Sequence, residues 1–263
     1  MSQHSCWVRH RTADGPLWSP VPQKSGETLI SEAGEHPRND SMESYGPVDY
    51  EKIDILPPAE PTRVVALAHN YRDLVDEKES EGSEKPLSFL KTPSSVIATG
   101  DSIEIPETGP TWAEVEVAFI VDKKAKNICR KKGIEYIRGY TVANDVTTEG
   151  IHARNWHLPR SKARDTFCPL GPHLIKGIDT SDLTMSTHIN GTKTQDSTTA
   201  NRLYDEPAAL SHVSSLMTLE PGDVVLTGTP AGATDSTVSP GDEVVVNVEK
   251  LGTLENQVCL KRE

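Results

Sequence analysis

The chain has 263 residues, of which 27 are lysine or arginine and 39 are aspartate or glutamate, so its formal net charge at pH 7 is -12. This length suffices for a sizeable hydrophobic core, arranged as one large domain or as a small domain and a larger one. The negative charge argues against binding to nucleic-acid backbones or to anionic membranes through bulk electrostatics.

Four cysteines lie far apart along the chain, and none belongs to a CxxC pair. This spacing favours free thiols in a reducing compartment over a zinc site or a disulfide framework. The N-terminus lacks the apolar segment of a signal peptide, and no long apolar run follows. We therefore predict a soluble, cytoplasmic protein.

The first 56 residues are poor in apolar periodicity and rich in glycine, proline, serine and charged residues. Residues 35–49 have the composition of a loop, and residues 56–61, Leu-Pro-Pro-Ala-Glu-Pro, have that of a linker. We predict a small N-terminal module or extended arm over residues 1–56, followed by a larger domain over residues 57–263.

Two short strands are predicted at residues 63–68 and 86–91, on either side of a highly charged segment at residues 73–85. Two interpretations of the charged segment stay open. It is either a solvated helix with a disordered tail, or a mobile segment that becomes ordered over a ligand. The second strand ends in Lys91, and a turn at residues 100–101 precedes another short strand.

Residues 111–121 alternate strongly and predict a longer strand. One face is wholly apolar, and it carries Ala113, Val115, Val117, Phe119 and Val121. The opposite face carries Trp112, Glu114 and Glu116, so the two carboxylates are only about 6–7 Å apart along the strand. This face is either solvated or half of a site for a hard divalent cation, which prefers oxygen ligands.

A second strand over residues 140–146 contains Asp145 near its end. An aspartate at this position is often a turn former. It is also suited to be a third oxygen ligand of Mg²⁺ beside the two glutamates. The spacing along the chain leaves both interpretations open.

Residues 147–168 form a basic cluster in an acidic chain, and two interpretations stay open: a solvated loop of mixed charge, or a wall that binds anions. We interpret Cys168, which has no obvious base beside it, as a small buried residue. The histidines and cations of the cluster are His152, Arg154, His157, Arg160, Lys162 and Arg164.

The C-terminal third predicts a hairpin turn at Asn190-Gly191, a helix over residues 207–217 and two final strands over residues 243–249 and 253–258. Between the helix and these strands, Gly228 and Thr229 stand at the end of a short strand. Such a pair lets a backbone N–H and a hydroxyl approach a carboxylate closely.

A colinear series of motifs runs through roughly residues 56–260. The motifs are Asn70-Tyr71, Phe89-Leu90-Lys91, Glu114-x-Glu116, Gly139-Tyr140-Thr141, Asn144-Asp145, Lys162, Pro169-Leu170-Gly171-Pro172, Asn190-Gly191, Leu219-x-Pro221-Gly222-Asp223 and Thr227-Gly228-Thr229-Pro230. Each motif alone is weak, but in this order the chain resembles the fumarylacetoacetate hydrolase family.

The resemblance implies a mainly β (α+β) catalytic domain with a rolled, barrel-like mixed sheet, usually a homodimer, and one Mg²⁺ or Mn²⁺. Its substrates are small 2-oxo carboxylates or their enols, and no nucleic acid or membrane is involved. By position in the motifs, the implied metal ligands are Glu114, Glu116 and Asp145. The implied catalytic and substrate-binding residues are Lys162, Glu77, Thr229, Gly228, Lys91 and Gln195.

The chain departs from the family pattern at two places. Members that cleave or decarboxylate generally carry Asn-Tyr-x-Asp-His-x-x-Glu, and here Leu74 replaces the histidine while Glu77 keeps the glutamate position. Leucine cannot take up a proton or orient a water molecule. After Asp145 the usual Arg-Asp pair is replaced by Glu149-Gly150. That change removes a cation near the substrate. Two interpretations stay open for His69, His152 and His157: compensation for this cation, or a surface or structural role.

Within the family, the sequence is most similar to the branch that isomerises 2-hydroxyhepta-2,4-diene-1,7-dioate or decarboxylates 5-oxopent-3-ene-1,2,5-tricarboxylate. We expect an isomerase or decarboxylase of a 2-oxo or 2-hydroxy-2-ene dicarboxylic acid. The alternatives are a C–C hydrolase of acylpyruvate-like β-diketo acids, an oxaloacetate decarboxylase, and a non-catalytic member that binds metal and carboxylate.

Overall fold

The computed structural model describes residues 5–21, 52–79, 83–107, 109–149 and 158–261. Strands dominate these ranges, as the predicted mainly β class requires. They are β1 (Ser5–Thr12), β2 (Gly15–Pro20), β3 (Asp54–Leu56), β4 (Val64–Ala68), β5 (Leu87–Lys91), β6 (Val96–Ile97), β7 (Ser102–Ile105), β8 (Thr111–Trp112), β9 (Val115–Val121), β10 (Ile137–Asn144), β11 (Thr147–Thr148), β12 (Cys168–Lys176), β13 (Thr184–Ile189), β14 (Thr192–Thr198), β15 (Val224–Leu226), β16 (Thr237–Val238), β17 (Glu243–Val248) and β18 (Gly252–Leu260). The α-helices in these ranges are α1 (Arg72–Glu77), α2 (Leu158–Lys162) and α3 (Glu206–Leu216).

Two mixed sheets and a small one organise these strands. The largest runs in the order β2-β1-β12-β10-β9-β15-β4-β5, with β3 paired to β1 and β6 paired to β12. The second runs β14-β13-β17-β18-β7, and the third runs β11-β8-β16. Most pairs are antiparallel, whereas β15–β4, β12–β6 and β18–β7 are parallel. The expected mixed, rolled sheet is consistent with this order.

Strand β9 lies at the centre of the large sheet and is buried on both faces. The predicted apolar face is confirmed, because its alternate residues Val115 to Val121 join the main core together with residues of β13, β17 and β18. On the other face, Ala118 and Ile120 pack in a second cluster with Trp7 and Trp18. The interpretation of that face as solvated is therefore wrong.

A single continuous strand over residues 111–121 is also wrong. Thr111 and Trp112 pair with β11 and β16 in the small sheet, and regular pairing resumes only at Val115. In between, the Ala113 N–H donates to the carbonyl of Ser236, and the Glu114 N–H donates to the side chain of Asn144. This break lies directly beside the candidate metal ligands.

The N-terminal strands extend the large sheet. Strand β1 pairs antiparallel with β12, and β2 and β3 pair with β1. The division of the chain at residue 56 stays a prediction. The loop predicted at residues 35–49 lies outside the described residues.

Helices α1 and α3 lie close to their predicted places. Helix α3 begins at Glu206, where the Asp205 side chain accepts a hydrogen bond from the Ala208 N–H at 2.8 Å. Helix α1 occupies the start of the highly charged segment, but it buries Leu74 and Val75. The description of that segment as almost without core residues therefore needs correction.

All four cysteines are free thiols, as predicted, and Cys6 and Cys168 are buried. Burial raises the pKa of each of these two thiols to about 12. Neither thiol is therefore suited to be a nucleophile near neutral pH. Within the described ranges, every helix is too short or too polar to cross a bilayer.

Candidate metal centre

Three carboxylates converge where β9 and β10 lie side by side. Glu116 belongs to β9 and pairs in register with Ala143 of β10. Asp145 follows the end of β10, and its N–H donates to the carbonyl of Glu114 at 2.9 Å. One oxygen from each of Glu114, Glu116 and Asp145 lies within 4.8 Å of the others, and all three residues are buried. The structure thus brings together the three residues predicted to be metal ligands.

Two lysines stand among these carboxylates. The Lys162 Nζ, at the end of α2, lies 2.8 Å from Glu114 Oε2 and 2.6 Å from Asp145 Oδ2. The Lys91 Nζ, at the end of β5, lies 2.5 Å from Asp145 Oδ1. Three carboxylates and two ammonium groups give this cluster a formal charge of -1. Both lysines are buried, so their charges act on the acidic groups with little screening by solvent.

The environment of each carboxyl group differs. Burial, followed by the nearby carboxylates Asp145 and Glu114, raises the pKa of Glu116 well above its usual value, against the opposing effect of Lys162. Burial would also raise the pKa of Asp145, but Lys162 and Lys91 outweigh it, and the pKa of Asp145 is lowered. Asp145 is therefore ionised near neutral pH, whereas Glu116 retains its proton to higher pH than an ordinary glutamate does.

The ammonium of Lys162 responds in the opposite way. Burial alone would lower its pKa, but Asp145 and Glu114 accept hydrogen bonds from it and raise the pKa above the ordinary value. The Lys162 Nζ also lies 5.3 Å from the centre of the Phe89 ring. Lys162 is therefore a fixed cation near neutral pH.

The residues present fit a hard divalent cation. The donor set is entirely carboxylate oxygen, and three such ligands leave room in an octahedral shell for water or substrate. Glu116 Oε2 accepts a hydrogen bond from the Gly228 N–H, and within the described residues Glu116 Oε1 accepts none. That oxygen is therefore available to a cation.

Two contacts to Glu114 were not predicted from the sequence. Trp112 Nε1 and Thr147 Oγ1 each donate to Glu114 Oε1 at 2.8 Å. These bonds direct the other oxygen, Oε2, towards Lys162. The position of Trp112 on the same strand face as Glu114 was a usable signal, and Thr147 stands two residues after Asp145.

A cavity of about 230 Å³ opens over two of the three carboxylates. Its walls include Glu114, Asp145 and Lys162 on one side. The other lining residues with a polar or charged side chain include His69, Glu77, Lys78, Thr229 and Thr234. The cavity joins the candidate metal ligands to groups capable of contacting an organic anion.

The predicted substrate-binding residues separate into two groups. Thr229 lines the cavity, whereas Gly228, Lys91 and Gln195 are absent from its described walls. Gly228 has a φ of 93°, and a Cβ at this position would lie 2.9 Å from the Cβ of Asn70, so the position requires glycine. The Gly228 N–H is used by Glu116, a carboxylate of the protein itself.

Gln195 lies beneath the segment that carries Thr229. Its Nε2 donates to Thr229 Oγ1 at 3.0 Å and to the Pro230 carbonyl at 3.1 Å. Its Oε1 accepts from the Val115 N–H and from the Thr187 hydroxyl. The structure thus gives Gln195 a positioning contact to Thr229, and a direct contact to substrate stays a prediction.

The outer wall of the cavity is formed by α1. Glu77 Oε2 accepts a hydrogen bond from the Gly232 N–H at 2.8 Å, which ties the helix to the far side of the cavity. Leu74 lines the cavity and is 5% exposed. The predicted positions Gly150, His152 and His157 lie outside the described residues, as does Arg154 of the basic cluster.

Comparison with known proteins identifies the fold. The family model "Fumarylacetoacetate (FAA) hydrolase C-terminal" matches residues 63–259. A 5-carboxymethyl-2-hydroxymuconate delta-isomerase structure from Mycobacterium smegmatis has a TM-score of 0.84 and 32% identity, covering 97% of this chain and 100% of the other. A 2-hydroxyhepta-2,4-diene-1,7-dioate isomerase structure from Mycobacterium marinum has a TM-score of 0.83 and 29% identity, covering 98% and 100%.

A bifunctional relative is also similar. The 4-hydroxyphenylacetate degradation bifunctional isomerase/decarboxylase of Escherichia coli is 37% identical over 201 residues, which is 73% of this chain and 46% of that protein. The similarity thus extends over most of this chain and under half of that relative.

Proposed function

Because this chain belongs to the fumarylacetoacetate hydrolase family, we propose that it is a Mg²⁺- or Mn²⁺-dependent enzyme that isomerises or decarboxylates a 2-oxo or 2-hydroxy-2-ene dicarboxylic acid through an enolate. The observation that carries this proposal is the buried set Glu114, Glu116 and Asp145, of which Glu114 and Asp145 contact Lys162 and line the cavity. The set has the ligand chemistry of a hard cation, and the cavity gives a small acid access to it.

A divalent cation held by the three carboxylates would supply Lewis acidity to a substrate oxygen. The protein supplies the remaining contacts. Lys162 places a permanent positive charge beside the same carboxylates, where it stabilises negative charge on a substrate oxygen. Thr229 accepts a hydrogen bond from Gln195, which leaves the hydroxyl hydrogen of Thr229 free for a substrate carboxylate.

Isomerisation and decarboxylation share one requirement. In each, a C–H or C–C bond breaks at the carbon next to the 2-oxo group. The electron pair of that bond forms a C=C bond, and the C=O π pair moves onto the oxygen. The site therefore has to stabilise an oxyanion, and fixed positive charge in a buried cavity does so without reorganisation during the reaction. Lys162 is 9% exposed at its side chain and meets this requirement.

Leu74 favours isomerisation over C–C hydrolysis. A hydrolase needs a group that activates water, and the family position for that group is occupied here by a buried leucine. An isomerase needs a stabilised oxyanion and one proton-transfer group. The isomerases similar to this chain and the bifunctional isomerase/decarboxylase support the same class. Hydrolysis of acylpyruvate-like acids and decarboxylation of oxaloacetate are the catalytic alternatives.

The test uses the purified protein with Mg²⁺ and a panel of 2-oxo and 2-hydroxy-2-ene acids. We expect a Mg²⁺-dependent change in the ultraviolet absorbance of a dienoic dicarboxylate and no change in EDTA. If calorimetry shows Mg²⁺-dependent binding of oxalate but the whole panel is unchanged, the chain is a non-catalytic metal and carboxylate binder. Size-exclusion chromatography tests the predicted homodimer, and cell fractionation tests the predicted cytoplasmic location.

A further inference from the structure

The cavity presents few groups that are free to accept a proton. Leu74, at the family position of the catalytic histidine, cannot do so. Lys162 is a fixed cation bonded to carboxylates, and Glu77 uses one oxygen to bind the Gly232 N–H. Among the described lining residues, His69 remains as the only imidazole. Its ring makes no hydrogen bond to another described residue, so its nitrogens are available to a ligand.

The backbone at His69 is held in an unusual conformation. Its φ is 53°, in the left-handed region that is uncommon for residues other than glycine, although asparagine, aspartate and histidine adopt it more often than the rest. His69 directly follows β4. This strand is held in the sheet by its parallel pairing with β15. Such backbone outliers cluster at active sites, where the surrounding structure maintains them.

Asn70 maintains this conformation from the next position. Its side chain donates to the carbonyls of Thr227 and Tyr204 and accepts from the Tyr204 N–H. Its own carbonyl accepts from the Leu203 N–H at 2.8 Å. Four hydrogen bonds therefore fix Asn70, which is 2% exposed. Because Asn70 is the next residue along the chain, these bonds also restrict the backbone of His69 at the cavity wall.

The charges around His69 favour the neutral ring. Partial burial lowers its pKa below the ordinary value, Lys78 at the end of α1 lowers it further, and Glu114 opposes them. Glu77 on α1, and Asp145 and Lys162 across the cavity, are the other charged groups that face this space. A neutral imidazole near pH 7 is the form that accepts a proton.

We propose that His69 is the catalytic proton-transfer group of this site, in place of the histidine that Leu74 replaces. The proposal rests on the proposed function, because it assigns a residue to the isomerisation. Its evidence is the position of an unpaired imidazole in the wall of the cavity over Glu114, on a backbone held in place by Asn70.

The step conserves every atom. An imidazole nitrogen of His69 accepts a proton from the carbon next to the 2-oxo group. The electron pair of that C–H bond becomes a C=C bond, and the C=O π pair moves onto the oxygen. His69 then returns the proton to the oxygen, to the same carbon or to a conjugated carbon. The net result is tautomerisation or double-bond migration, and no other reactant is required.

The first experiment compares His69→Asn with His188→Asn in the full chain with Mg²⁺. Asparagine tolerates the left-handed backbone but does not accept a proton at neutral pH. His188 lies in β13, away from the cavity. We expect His69→Asn to lower the rate of isomerisation, or of exchange of the 2-oxo acid's C3 protons with D₂O, by about 10²–10⁴. His188→Asn should keep the wild-type rate.

Two further measurements separate catalysis from folding and binding. Calorimetric affinities for Mg²⁺, and for oxalate with Mg²⁺, should stay within threefold of wild type in His69→Asn. In NMR spectra of the metal-free protein, the ring signals that vanish in this variant identify His69. Those signals should titrate below the ordinary pKa of about 6.5. The wild-type rate should fall as the pH drops through the pKa measured for His69. The pH–rate profile of the variant should lack this acidic decrease.

The outcomes are distinct. If wild type turns over a substrate and His69→Asn matches it within threefold, with the same acidic decrease, the assignment of His69 is overturned and the proposed function stands. If the variant loses affinity for Mg²⁺ as well as activity, His69 supports the metal site and the assignment is again overturned. If wild type leaves the whole panel unchanged, the proposed function and this assignment are both overturned.

Discussion

The Nζ of Lys162 lies 2.6 Å from Oδ2 of Asp145, although 17 residues separate the two along the chain. The same ammonium contacts Glu114, so one lysine bridges two of the three candidate metal ligands. Lys162 thus places a positive charge between these two buried carboxylates. Because unpaired buried carboxylates are costly, we expect this lysine to contribute to the stability of the fold.

Replacing Lys162 by methionine should destabilise the metal-free protein. Removal of one partner from a buried ion pair leaves an uncompensated charge and costs about 3–5 kcal/mol. Urea unfolding in EDTA measures this loss, and added Mg²⁺ should recover part of it. The turnover number should also fall by about 10²–10³, because a charge beside the oxyanion is lost.

Lys124→Met is the matched control for that variant. Lys124 pairs with Glu220 at 3.1 Å, but its side chain is 68% exposed. Such a surface pair contributes about 0–1 kcal/mol, so this variant should unfold almost as wild type does. Equal stability of Lys162→Met and wild type in EDTA would contradict the role given to the buried ammonium.

Replacing Glu116 by glutamine should separate metal binding from folding. The pKa of Glu116 is raised in the folded state, so its ionised form opposes folding above the unfolded pKa of about 4.3. Glutamine removes that charge and can donate to the neighbouring carboxylates. We expect the melting temperature in EDTA to rise at pH 8, and the rise to shrink as the pH approaches 5.

The same glutamine variant should lose the stabilisation that Mg²⁺ gives to wild type, because one of three oxygen ligands is weakened. Calorimetry with Mg²⁺ measures this loss directly. Glu255→Gln is the control, since Glu255 is exposed on β18. A Glu116→Gln protein that binds Mg²⁺ with wild-type affinity would remove Glu116 from the ligand set.

Replacing Thr229 by valine should weaken substrate binding. Thr229 lines the cavity, and Gln195 orients its hydroxyl by donating to it. A hydrogen bond to a charged group contributes about 1.5–3 kcal/mol, so KM should rise by roughly ten- to a hundredfold. Thr229→Ser keeps the hydroxyl and should behave nearly as wild type. An unchanged KM in the valine variant would show that the substrate carboxylate lies elsewhere.

Replacing Leu74 by histidine tests the preference for isomerisation. Leu74 is buried at the cavity wall, three residues before Glu77, and the variant restores the family's histidine and glutamate. We expect a loss of stability of about 1–3 kcal/mol and a gain in hydrolysis of an acylpyruvate. Leu74→Asn, which is polar but accepts no proton, should lose stability without the gain. Equal hydrolysis by both variants would contradict this explanation.

Replacing Gly228 by alanine should be far more costly than the same change at Gly191. Both glycines have positive φ, but a Cβ at Gly191 would meet no atom within 4 Å. The Gly191→Ala variant should lose about 1–2 kcal/mol from backbone strain alone. At Gly228 the new Cβ would meet Asn70 at 2.9 Å, so unfolding measurements should show a larger loss. Affinity for Mg²⁺ should fall too, because the Gly228 N–H holds Glu116.

Local patterns in the sequence predicted much of the fold near the site. Alternation alone identified the apolar face of β9, because strand geometry fixes which side chains share a face. Turn chemistry identified the hairpin at Asn190 and Gly191, whose φ values of 50° and 78° match the predicted tight turn. The helix over residues 207–217 was found within one residue at each end.

Non-local contacts could not be predicted in this way. The order of family motifs placed Asp145 beside the glutamates, but the spacing of residues left its role open. The position of Lys162 between two carboxylates depends on how α2 packs against the ends of β5 and β11. The break before Val115 depends on Asn144 and Ser236, which come from other elements. Such interactions are set by packing, which leaves no periodic signal in the sequence.

The contacts of Lys91 and Lys162 with the carboxylates have a consequence for the binding of a cation. Many small metalloproteins fold only when their ion is present, because the site is not formed in the unfolded chain and metal binding supplies the free energy of folding. Here Lys91 and Lys162 pair with the candidate ligands, so the two ammonium groups offset two of the three formal negative charges. A cation held by Glu114 and Asp145 would therefore compete with these ammonium groups for the same carboxylate oxygens.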